Sequence, residues 1–193
     1  IMSVQLIVFP QLALTNEFVI DGTNFSTINT SSSYDSSAAS VIVDALTNAA
    51  PSVVNTWFRF RSTSTGTPTL PTEITNNLTL YSVTTLTLSG VYQKLSGLVV
   101  GTTYEMTIDL STTGTGSVII GAYNGTTLIN SVPNAANQSQ ITHTWTAQST
   151  NDTVVISYYN NVAANIVISN ISVLPQGITP TTIYTDLQDG QVI

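Results

Sequence analysis

The run Trp57-Phe58-Arg59-Phe60-Arg61 gathers one of the two tryptophans of this chain and two of its three cationic side chains. Side chains alternate along a β-strand, so Trp57, Arg59 and Arg61 share one face and Phe58 and Phe60 the other. If the phenylalanines turn to a core, the first face presents an indole beside two planar cations. Flat aromatic rings stack on the apolar C–H faces of sugars, and guanidinium forks bond hydroxyls or carboxylates. The pattern predicts a glycan platform, suited to acidic sugars as well. Tyr92 alternates with Val91 and Gln93 and is expected to face outward, while Tyr81 and Tyr123, near strand ends, would extend the platform. The same residues have a plainer reading. The arginines would bridge to Glu73 or to a neighbouring subunit, and Trp57 would plug one end of the fold.

Groups for catalysis are scarce. With one His and no Cys, a Ser-His-Asp arrangement would have to use His143. On a strand over 140–147, His143 shares a face with Ile141, Trp145 and Ala147, which fits a packed histidine. Glu105 and Asp109 lie opposite Tyr104, Met106, Ile108 and Leu110, so they read as solvent-facing and not as a glycosidase pair. The stretch GTGSVIIG (114–121) lacks the spacing of a dinucleotide-binding turn. Asp186 and Asp189 lack the spacing of a calcium loop. No catalytic residue, cofactor or metal site is expected.

The elements that must position these residues are strands. Apolar, alternating runs at 90–98, Tyr104–Leu110, Ser117–Tyr123, Thr126–Val132, Gln140–Ala147, Thr153–Tyr159 and Asn165–Val173 are separated by Gly turns and by Asn124–Gly125. A strand every roughly 8–12 residues, with such punctuation, predicts an antiparallel sandwich or barrel. Val53–Arg61 is an earlier strand, followed by a loop over 63–73 whose two prolines exclude it from a sheet interior. One helix is expected over 36–48, with Ala39, Ile42, Ala45 and Leu46 on one face and Asp35 capping its start. Val41, Ile42 and Val43 would equally suit a strand.

Charged residues make up 7% of the chain, and the net charge is −7. Polarity comes instead from Thr, Ser and Asn. Thr suits a pleated surface, and a charge-poor surface suits contact with neighbours. The acidic balance argues against nucleic acid and against anionic membranes as partners. The apolar start, IMSVQLIVFPQ, has no basic region, is broken by Pro10 and reads as a strand.

Residues 90–175 resemble jelly-roll carbohydrate-binding modules of the xylan- and glucan-binding type. The resemblance rests on Gln93, Leu95, Leu98, Gly101 and Tyr104, on the run His143 to Ala147, and on the closing strand Ile168 to Val173. Ser169 stands where many members of that family carry an Asp that helps to hold a structural calcium, so no metal site is implied. Modules of this kind also occur in the virion proteins of tailed bacteriophages. The segments MSVQLIVFPQ and TTIYTDLQDGQVI are similar to starts and connectors of such proteins. The resemblance implies an all-β antiparallel sandwich, a jelly roll over 35–175, with an extended arm over 1–34 and at most one short helix. Residues 176–193 would be a connector that continues in the native protein.

Three functions follow as expectations. The first is a structural component of a phage virion (tail, fibre or head-associated), located in the extracellular particle. It would assemble with other virion proteins and with itself through its termini, and would hold host-surface glycan. The alternative is a carbohydrate-binding module of a secreted glycan-degrading enzyme. The third, a stand-alone enzyme, would require acidic residues to converge around His143.

Overall fold

The computed structural model describes residues 33–38, 40–48, 54, 56–63, 66–74, 77–82, 87–112, 114–160 and 162–176. The expected arm up to residue 32 and the connector from 177 lie outside the described residues. In chain order the elements are β1 (Ser33–Ser36), α1 (Val41–Asn48), β2 (Trp57–Ser62), β3 (Thr72–Ile74), β4 (Asn77–Ser82) and β5 (Thr87–Lys94). Then come β6 (Thr103–Thr112), β7 (Ser117–Asn124), β8 (Thr127–Ala135), β9 (Gln140–Thr146), β10 (Thr153–Asn160) and β11 (Ala164–Pro175).

They build two layers. One sheet has six strands in the order β1-β2-β5-β10-β7-β8, and the other has five in the order β3-β4-β11-β6-β9. From β4 onward each connection crosses from one sheet to the other, except the β7–β8 hairpin. That hairpin turns at Asn124–Gly125, where Gly125 takes a φ of 61°, open to glycine at no steric cost. All strand pairs are antiparallel except β1 on β2. The chain is an all-β sandwich with one short helix among the described residues, as the strand spacing predicts.

Alternation explains the core. Leu78 and Leu80 of β4, Met106 and Ile108 of β6, Ile141 and Trp145 of β9, and Ile171 and Val173 of β11 point inward from the five-stranded sheet. They meet Val91, Val118, Ile120, Val154, Ile156 and Tyr158 from the six-stranded sheet. Each such side chain contributes about 1.5–3 kcal/mol by leaving water. Two tyrosine tips inside are satisfied: Tyr158 donates to the Thr115 carbonyl at 2.6 Å, and Tyr104 accepts from the Val99 amide at 3.0 Å.

The helix starts at Val41, later than expected, and Asp35 does not cap it. Residues 33–36 are drawn into β1, where Asp35 stands opposite Arg61. The first turn instead starts from Ser40, whose carbonyl accepts from the Asp44 amide at 3.0 Å. Val41, Ala45 and Leu46 bury against the outer face of the six-stranded sheet, forming a second core with Phe58, Phe60, Tyr92, Tyr123 and Val155. Asp44 ties the helix to β1 by accepting from Tyr34 Oη at 3.1 Å and from Ser36 Oγ at 2.7 Å.

Candidate functional site

The residues expected to form an exposed platform do not converge on one. Trp57 is fully buried, at 0% exposure, inside the main core. The alternation along β2 is as expected, but the assignment of its faces is reversed. The Trp57 side turns inward, while Phe58 and Phe60 seat in the second core below α1. Both faces of β2 are therefore covered, which a strand-only view of this region does not anticipate. Tyr92 does face away from the main core, yet it is only 1% exposed because Phe58 stacks on it at 5.5 Å and Phe60 lies 6.1 Å away. Tyr123 is buried in the same cluster at 5% exposure. Burial pushes the Tyr92 hydroxyl up to about 12 and raises that of Tyr123, because a phenolate is poorly solvated there.

Arg59 and Arg61 anchor a crossing loop. Arg61 donates from Nε and Nη2 to the two carboxylate oxygens of Asp35, at 2.8 and 3.0 Å, and from Nη1 to the Pro68 carbonyl at 3.2 Å. Arg59 donates from Nη1 to the Pro71 carbonyl at 3.1 Å. The segment 66–71, which carries the chain from the six-stranded to the five-stranded sheet, is held by both arginines. The hydrogen bond from Arg61 lowers the Asp35 carboxyl below its ordinary range, and the same bond raises the guanidinium. Tyr81 lies beside this crossing, its hydroxyl 3.0 Å from Thr72 Oγ1.

The geometry exposes a different surface. Cross-strand register lays the outer face of the six-stranded sheet out in rows. Leu88, Tyr159 and Ser117 form one row, and Gly90, Ser157, Ile119 and Pro133 the next. A third row runs Tyr92, Val155, Gly121 and Ser131. Directly opposite residues in such rows sit about 4.5–5.5 Å apart. The second core covers Tyr92 and Val155, and Leu88 packs against its margin, while Ser117, Ile119 and Tyr159 are half-buried and Ser131 is exposed. An aromatic ring is thus flanked by an aliphatic and a hydroxyl side chain in one cross-strand row. Gly121 adds no side chain to that sheet, and a Cβ there would meet the Tyr123 ring at 2.9 Å. Sequence reasoning missed Leu88, Ser117, Ile119 and Tyr159. The signal was the alternation of Val155, Ser157 and Tyr159 against Val154, Ile156 and Tyr158, legible only once the covered face is known.

The groups that could do covalent chemistry are engaged elsewhere. His143 is 3% exposed, with Nε2 3.0 Å from Asn130 Oδ1, and burial lowers its pKa. Asp152 is fully buried and accepts from the Trp145 indole, the Gln148 and Ser149 amides and Ser149 Oγ. Asp109, on the face turned from the core, accepts from Gln140 and Asn170 at 2.8 and 3.0 Å. Ser169 donates from Oγ to the Asp109 carbonyl at 3.3 Å. Among the described residues no three His, Cys, Asp or Glu side chains gather where they could hold a metal ion.

No family model matches the chain, and no curated protein matches it. Solved structures do. A family 4 carbohydrate-binding module is 17% identical, with a TM-score of 0.44 over 63% of this chain and 87% of that one. The enzymatically active domain of tailspike protein 4 from bacteriophage CBA120 is 12% identical, with a TM-score of 0.43 over 61% of this chain but 19% of that one. A family 61 carbohydrate-binding module in complex with β-1,4-galactotriose is 9% identical, with a TM-score of 0.41 over 52% of this chain and 70% of that one. At these scores, function has to be argued from the chain's own residues. The chain is an all-β sandwich, and the solved structures similar to it include carbohydrate-binding modules and a phage tailspike domain.

Proposed function

We propose that this protein is a non-catalytic structural component of a bacteriophage virion, and that the half of its six-stranded sheet carrying Ser117, Ile119 and Tyr159 holds host-surface glycan. The observation that carries the glycan reading is the half-buried Tyr159 ring between Leu88 and Ser117, with no charged side chain in its row. A sugar stacks there on one ring and bonds to hydroxyls around it. The virion reading is supported by the likeness of the segments at 2–11 and 181–193 to phage structural proteins and by the low charge of the chain. The cations are not gathered into a nucleic-acid footprint. Arg61 pairs with Asp35, and Arg59 bonds the Pro71 carbonyl. A carbohydrate-binding module tethered to a secreted enzyme is the second reading, favoured by the run from Gln93 to Tyr104.

A glycan array probed with the whole chain and with Tyr159→Ala tests the site. The expected result is retention of one glycan class, weakened about tenfold in the variant, as loss of an aromatic contact worth on the order of 1–1.5 kcal/mol implies. Equal retention by both proteins, with the variant folded, would remove Tyr159 from the site.

A further inference from the structure

The outer face of the six-stranded sheet holds a buried polar group that the fold leaves unused. Ser157 of β10 alternates with Val155 and Tyr159 on that face and is fully buried, at 0% exposure. Among the described residues nothing lies within hydrogen-bond reach of its Oγ. A buried hydroxyl without a partner has given up its hydrogen bonds to water and gained none, so its presence calls for a reason. Packing does not supply one, because alanine would occupy the position without the polar atom.

Register shows what surrounds the hydroxyl. Gly90 of β5 stands opposite Ser157 on one side, and Ile119 of β7 on the other. Gly90 has no side chain, and the Phe60 ring takes that space, with Cζ 2.5 Å from where a Cβ would be. Along β10 the neighbours on the same face are Val155 and Tyr159. Phe60 and Val155 are buried in the second core, but Ile119 and Tyr159 are half-buried and still reach water. The hydroxyl therefore lies one side chain below the surface, at the corner between Ile119 and Tyr159. Exposed side chains change rotamer in picoseconds to nanoseconds, so this corner can part without any change in the backbone. Ser117, opposite Tyr159, stands at its rim.

Given the glycan reading of the Tyr159 row, on which this rests, we propose that Ser157 is a recessed subsite of that row. When a sugar stacks on Tyr159, the Ile119 and Tyr159 side chains part and one sugar hydroxyl reaches Ser157 Oγ. A serine hydroxyl both gives and accepts a hydrogen bond, which matches an alcohol group of a sugar. The same surroundings exclude charged sugars. No Asp, Glu, Lys or Arg stands in the row Gly90, Ser157, Ile119 and Pro133 or in the row Leu88, Tyr159, Ser117 and Ala135. A carboxylate or sulfate brought there would lose its water and receive one hydroxyl in return. The ligand class is a neutral glycan, in contrast to the acidic sugars that Arg59 and Arg61 suggest in the sequence.

Ser157→Ala tests this with two readouts of opposite sign. In urea unfolding its midpoint should rise, because the variant buries no unpaired hydroxyl. On a glycan array probed with the whole chain, its retention should fall about fivefold, as loss of one hydrogen bond implies. The glycans retained by the parent chain should be neutral, with uronate- and sulfate-bearing ones passed over. A serine with a purely structural role would not combine a gain in stability with a loss of binding. A lowered midpoint would show that the hydroxyl is already satisfied within the fold and would overturn the proposal. Undiminished retention by Ser157→Ala, beside weakened retention by Tyr159→Ala, would overturn it and leave the glycan reading standing. A preference of the parent chain for acidic glycans would overturn it as well. No retention by the parent chain would remove the glycan reading and this subsite with it.

Discussion

Trp57 shows how far one residue's chemistry can be read without its surroundings. The arginines two and four positions further along its strand suggest a wet indole, yet its ring lies wholly inside the main core. Trp57→Ala should therefore destabilise the domain by about 3–5 kcal/mol, read by denaturant unfolding, because it leaves a large cavity. A platform residue would have cost little stability and all of the binding. His143 is the converse case, since its inward position follows directly from alternation with Ile141 and Trp145. Burial depresses its pKa below 6.5, so the folded state holds the ring neutral. The unfolded chain takes up a proton as pH falls through 6.5, so the stability tied to this group is full above that pH and declines below it. His143→Gln should flatten that decline, measured by urea melts at about pH 7.5 and about pH 5.5. An unchanged slope would assign the acid sensitivity to the carboxylates, among them Asp35.

The strands from β5 to β11 were legible because period-two alternation and Gly or Asn-Gly turns coincide there. β4 was not, since its Leu78 and Leu80 are embedded in a Ser-, Thr- and Asn-rich stretch that reads as loop. α1 was legible as a helix, but its docking site was not. Nothing local says that it covers Phe58 and Phe60, and that long-range packing is what removed Tyr92 and Tyr123 from the surface. Gly90 makes the second core possible. A Cβ there would lie 2.5 Å from Phe60 Cζ and 2.6 Å from the Ile156 carbonyl oxygen. Gly90→Ala should cost about 1–3 kcal/mol through displacement of Phe60, visible as a lowered midpoint in thermal or denaturant unfolding. The anchor of the 66–71 crossing is weaker. Asp35 and Arg61 are both partly exposed, so removing their ion pair in Arg61→Ala should cost no more than about 1 kcal/mol. The same substitution also leaves the Pro68 carbonyl without the Arg61 donor, which loosens the crossing.

At the scale of the molecule, charge is distributed unevenly. The two arginines are engaged near one edge of the sandwich, Glu105 and Asp109 lie on the outer face of the five-stranded sheet, and the β8–β9 flank has no formal charge. The proposed virion role, with the Tyr159 row presented to glycan, needs neither a cationic footprint nor a catalytic cluster. Membership of a particle, as proposed for this chain, is reached directly by one measurement. Phage particles made from the genome that encodes this chain would be banded on a density gradient and the chain quantified by mass spectrometry against the major capsid protein. A virion component should be present at a fixed copy number per particle, retained through repeated banding. Absence of the chain from the particle band, with the protein recovered in the soluble secreted fraction, would contradict that role and leave the tethered carbohydrate-binding module as the reading that stands.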